Sequence, residues 1–173
     1  MSKIISMIIC GVSLIGISFL GIGCTPSDSQ IKLISNLTGR GAALAWISYD
    51  NPSIEQRKAV IDVLNIIKSN SGLVGTNSYV EIYYPIAIKY IDESPDIKPI
   101  DKMLVKGGVL GVLSGIDIMF SSYPKWKTNT QKVEGYVIAF IDGAIYGLEL
   151  PDTSEEIITA RRQVNMRVGI GLK

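Results

Sequence analysis

The sequence predicts an all-α protein: an irregular bundle of about six helices behind an N-terminal signal or anchor helix. Three observations carry this. From Gln30 onward, apolar residues recur mostly at three- and four-residue spacing, as they do on one face of a helix. Ser78 with Glu81, Thr128 with Gln131 and Thr153 with Glu156 have the spacing of capping boxes, which start helices. Small residues recur four apart in two long segments, as Gly107, Gly111 and Gly115 and as Gly135, Ala139, Gly143 and Gly147. That spacing draws a smooth ridge on a helix and has no counterpart in a strand.

The first helix is predicted from about Gln30 to Ser48, with Ile34, Leu37, Gly41, Leu44 and Ala45 at helical spacing. Gly39, Gly41, Ala43 and Ala45 thin it enough for another helix to come close. Tyr49 to Ser53 ends it, and Asn51-Pro52 reads as the N-cap and first position of the next helix. That second helix, Pro52 to about Asn70, has an apolar stripe of Ile54, Ile61, Leu64 and Ile67 beside Val60. Glu55, Arg57, Lys58, Asp62 and Lys68 keep its other side in water. Ser71-Gly72 and Gly75 stop it.

Residues 77–91 allow two readings. Val80, Ile82, Tyr84, Ile86, Ile88 and Tyr90 alternate as in a strand, whereas Val80, Tyr84, Ala87 and Ile91 fit a helical face. Pro85 disturbs both, and a kinked helix is preferred because the neighbouring segments are helical. Asp92 to Pro99 is a loop, and the fourth helix runs from about Ile100 to Phe120. Ser121 to Lys127 is a second loop before a fifth helix from about Asn129 to Glu149. Asp142-Gly143 could turn a hairpin, but Val137, Ile141, Ala144 and Leu148 form one helical face through it. A last helix from Thr153 reaches about Arg167, and the tail from Gly169 to Lys173 is expected to fray.

The glycine ridges call for a physical return, because each glycine inside a helix costs about 1 kcal/mol against alanine. Close packing between the fourth and fifth helices is the expected one. The alternative is that one ridge packs on a partner protein or inserts in a bilayer, although Lys106 and Asp117 in one helix and Glu134 and Asp142 in the other make a span costly.

The first 24 residues set the location. Lys3 supplies a charged start, Ile4 to Leu20 an uncharged, largely apolar run, and Gly21 to Gly23 a small-residue end directly before Cys24. This is the layout of a secretory signal peptide. With the cysteine it resembles the lipobox of bacterial lipoproteins, although Leu20 stands one place further back than the leucine of that pattern. The resemblance implies cleavage before Cys24, which would carry the lipid. Residues 1–23 are then a lipoprotein signal peptide, 24–29 a flexible tether and 30–173 the helical domain. An uncleaved single span is the rival, since Ile4 to Ile22 approaches the ~20 residues that cross a bilayer.

Composition narrows the rest. Without the first 23 of its 173 residues the chain has 150, enough for a core without staples. Lys3 is the only charge before Cys24, so the remainder balances 16 basic residues against 16 acidic ones. That argues against nucleic-acid binding. The chain has no histidine, and its two cysteines are Cys10 in the leader and Cys24. Ser-His-Asp and Cys-His catalysis are thereby excluded, as are ordinary zinc sites, and no metal or cofactor is expected. Asp117, Glu134, Asp142 and Glu149 would act in catalysis only if they converged.

The expected function is therefore binding or scaffolding in the cell envelope, by a bacterial or prophage-encoded lipoprotein tethered through Cys24, with an envelope protein as partner. The alternative is a carrier of a small apolar ligand, with Tyr79, Tyr83, Tyr84 or Tyr90 at the mouth of a cavity between helices. In either case Tyr123 to Lys127, which mixes aromatics with lysines, could touch a lipid surface.

Overall fold

The structure is a computed structural model that describes residues 26–70, 78–122 and 130–170. Six helices make up the described residues: α1 Asp28–Asp50, α2 Ile54–Ser69, α3 Tyr79–Glu93, α4 Pro99–Ser122, α5 Thr130–Glu149 and α6 Glu155–Ile170. No strand occurs among them, so residues 79–93 are helical, with Pro85 inside α3 on its exposed side. The leader with Cys24, the glycine breaks after α2, the loop at Tyr123 to Lys127 and the Thr128 cap lie outside the described residues. So do the last three residues.

Local chemistry sets the helix ends, in places differently from the sequence reading. Asn51 is a C-cap of α1 and not the N-cap of α2. Its φ of 47° is left-handed, and its N–H donates to the Ile47 carbonyl. Asparagine tolerates that backbone, and Pro52 then prevents continuation. Ser53 caps α2 instead, through a capping box with Gln56. The same box forms between Ser27 and Gln30, so α1 begins inside the stretch read as tether. Only Thr25, Pro26 and the cap residue Ser27 separate Cys24 from the helix. At α6 the cap is Ser154 rather than Thr153, with its Oγ accepting from Ile157 N at 3.3 Å.

The first five helices alternate in direction. Asp101 on α4 accepts from Gln56 on α2, and Lys106 on α4 pairs with Asp92 on α3. These contacts place the N-terminal ends of α2 and α4 with the C-terminal end of α3. At the opposite end the starts of α1 and α5 meet, where Asp28 accepts from Tyr136 at 3.0 Å and pairs with Lys132, which holds its carboxyl below the usual range, and the start of α3 rests on Asp117 of α4. α6 crosses the C-terminal half of α1, where Glu156 pairs with Arg40 and Arg161 donates to Asn51.

The core is one continuous apolar cluster. Trp46, Ile47, Leu64, Ile67, Val109, Leu113, Ile116, Phe120 and Phe140 are all buried in it. α4 packs against α1, α2 and α3. By length and composition alone it is apolar enough to cross a membrane, and half of its apolar window is buried in the bundle.

Two core features yield predictions. Asp117 projects from α4 onto the start of α3, accepting from Tyr79 N at 2.7 Å, Val80 N at 3.2 Å and the Ser78 hydroxyl. A carboxylate on unpaired amides at a helix N-terminus is a strong cap. Asp117→Ala is expected to lower unfolding stability by about 1–2 kcal/mol in urea titration. Next to this cap the Tyr79 ring stacks between Tyr83 and Phe120, with centroids 6.1 and 5.7 Å away. The Tyr79 hydroxyl is buried without a partner, and burial raises its pKa. A buried unpaired hydroxyl opposes folding, so Tyr79→Phe is expected to be neutral or stabilising by up to about 1 kcal/mol. A loss of more than that in the same titration would contradict this account of the stack.

Candidate interaction surface

The glycine ridges divide into packed and open positions. On α5, Cβ atoms added at Gly135, Gly143 and Gly147 would meet Lys32, Asn36 and Ala43, all on α1. Ala139 lies on the same ridge, and its carbonyl accepts from Asn36 Nδ2 at 3.2 Å. On the α1 side, Gly39 faces the Phe140 backbone. These two helices run parallel and approach until backbone touches backbone. The partner of the α5 ridge is therefore α1 rather than the fourth helix that the sequence reading expected. The thin α1 segment around Gly39 and Ala43 supplies the complementary surface. α4 and α5 meet only lightly.

The α4 ridge is itself divided. Gly115 packs on the Phe140 ring and on Ala42, and its neighbour Gly108 packs on Trp46 and Val60. Gly107 and Gly111 differ: no described residue would lie within 4 Å of a Cβ at either. They sit on the outward side of α4 with Ile100 and Met103, which are 85% and 84% exposed. Leu104, Leu110, Ser114 and Ile118 share this side and are half-buried. Over its length the face carries no charged residue. Lys106 and Asp117 turn toward α3 and are satisfied there. The result is a shallow apolar track, floored by two glycines and flanked by bulkier side chains. Such a floor admits another helix at short distance.

The carboxylates named from the sequence do not come together. Asp117 caps α3, Asp142 pairs with Lys68 on α2, and Glu149 is exposed at the end of α5. Glu134 stands half-buried on α5. Among the described residues no group of three or more Asp, Glu, Cys or His is placed to hold a metal ion. Of the four tyrosines, Tyr79 and Tyr83 are core residues, with the Tyr83 hydroxyl donating to the Asn70 carbonyl at 2.9 Å. Tyr84 is half-buried and Tyr90 exposed. A groove elsewhere, between α1 and α6, is lined by Leu44 and the polar face of α6 from Ser154 to Gln163.

Sequence reasoning missed Ile100 and Met103 as the most exposed large apolar side chains of this face. Their spacing of seven and four residues from Gly107 was the available signal. No family model matches the chain, and searches against curated proteins and solved structures found no match.

Proposed function

We propose that the protein is a lipoprotein of the cell envelope, bacterial or prophage-encoded, which binds an envelope protein through the outward face of α4. Cys24 carries the lipid, the domain lies outside the cytoplasm, and the molecule acts by binding rather than catalysis. The observation that carries the binding reading is the uncovered apolar track over Gly107 and Gly111, beside the exposed Ile100 and Met103. Apolar surface of this kind marks interaction sites. The tyrosines that would have lined a carrier's cavity support binding as well, since Tyr79 and Tyr83 are consumed in the core.

The test uses the full chain, expressed with its leader in bacteria and carrying a photo-crosslinking residue at Met103. A discrete adduct is expected there and not at the exposed Lys58 on α2. Gly111→Lys should abolish it without lowering thermal stability. Adducts that are equal at both sites, or that survive Gly111→Lys, would contradict the α4 reading.

A further inference from the structure

The outward side of α1 is a second uncovered surface. Leu33 is 58% and Leu37 40% exposed, and Gly41 has no described residue within 4 Å of an added Cβ. Gln30, Leu33, Leu37, Gly41, Leu44 and Ser48 follow one another at helical spacing, with Arg40 on the edge of the line turned to Glu156 and the Tyr146 ring. α6 crosses the far part of this line, at Leu44, and leaves Leu33 and Leu37 bare. From this stripe and the length of chain that precedes it, we infer that the N-terminal half of α1 lies on the bilayer surface, with Leu33 and Leu37 seated among the lipid headgroups. The inference rests on the proposal that Cys24, or the apolar run before it, holds the chain in a membrane.

The leash decides the occupant. Ser27 already caps α1, so Thr25, Pro26 and Ser27 are the whole link, with a reach of about 10 Å when extended. Leu33 and Leu37 lie about 8 and 14 Å along the helix from Asp28. The polar layer of a bilayer leaflet is about 5–7 Å thick. A domain held so close has a membrane as its nearest apolar phase, and a modest tilt of α1 sets both leucines into it. Amphipathic helices bind interfaces in this way.

The same geometry fixes which side of the domain faces away. Ala42 and Trp46, which touch α4, are each nine residues from Leu33 and Leu37 respectively. At about 3.6 residues per turn that is half a turn out of phase. With Leu33 and Leu37 on the lipid, α4 therefore lies on the far side of α1 from the bilayer, where a partner can reach it.

The test uses the full protein purified from membranes and reconstituted into vesicles of phosphatidylethanolamine and phosphatidylglycerol at about 3:1, the apolar and anionic chemistry that such helices meet. Variants with a genetically encoded fluorescent amino acid at position 33, 37 or 103 leave Cys10 and Cys24 untouched, and lipids brominated near the headgroup quench it. Quenching at 33 and 37 is expected to exceed that at 103 by about twofold or more, since quenching needs contact with lipid. Equal quenching at all three sites, or none at 33 and 37, overturns the inference. The intact mass of the same preparation separates the two readings. An acylated chain without quenching at 33 removes the docking alone, and an unacylated, uncleaved chain that is still quenched removes the lipoprotein assignment alone.

Discussion

Alanine at Gly143 or Gly39 is expected to cost about 3 kcal/mol or more, enough to unfold a marginal domain, whereas alanine at Gly107 or Gly111 should stabilise by up to about 1 kcal/mol. A Cβ at Gly143 would stand 2.6 Å from the Asn36 carbonyl carbon and 2.9 Å from its Cα, and closer still to the oxygen. At Gly39 it would stand 2.8 Å from the Phe140 carbonyl carbon, again closer to the oxygen. These neighbours are backbone atoms of a facing helix and cannot rotate away. Relief requires α1 and α5 to separate along their shared surface, which opens the core around Phe140. At Gly107 and Gly111 the added methyl meets no described residue, so only the helix-propensity gain remains. Urea denaturation of the four variants reads the contrast directly. Equal effects at all four would show that the ridges do not differ in packing.

Loss of Arg57 is the second large effect. The sequence reading set Arg57 on the wet side of α2; instead its side chain is buried, donates to the Leu150 carbonyl at 3.0 Å and the Pro52 carbonyl at 3.4 Å, and pairs with Asp152. One guanidinium thus ties the start of α2 to the α5–α6 connection. Arg57→Ala leaves two carbonyls unpaired and a void, and is expected to cost about 2–4 kcal/mol. Asp152 is about half in solvent, so its share of the pair is screened and smaller, about 1 kcal/mol or less. The Arg57 hydrogen bond first, and the nearby Arg161 charge after it, hold the Asp152 carboxyl below its usual range. That contribution is whole above the unfolded-state value of about 3.9 and is lost as pH falls through the lower folded value. Stability should therefore decline below about pH 4, with a shallower decline in Asp152→Asn. An Arg57→Ala protein that unfolds at the wild-type urea midpoint would contradict the tie.

The all-helical class was legible because ridge spacing and capping boxes are local signals. α3 does open at a Ser78 cap, but in the sequence its strand-like alternation left two readings and only its helical neighbours favoured the helix. What was not legible was pairing. The ridge on α5 announces a close neighbour, and nothing in its spacing distinguishes α1 from α4. The thin segment at Gly39 to Ala43 identifies the neighbour only once the bundle is closed. The shift of the α2 cap from Asn51 to Ser53 has a similar cause, because Asn51 serves equally well as a left-handed stop or as a start. Of the candidate surface, Gly107 and Gly111 were visible in the sequence. Their openness was not, since it depends on which sides of α4 the other helices occupy.

The central claim is attachment through Cys24, and the intact mass of the protein purified from bacterial membranes tests it most directly, beside a Cys24→Ser variant. The account predicts a wild-type chain that begins at Cys24 and carries added acyl mass, with neither feature in the variant. An unmodified chain from Met1 to Lys173 in both would contradict it.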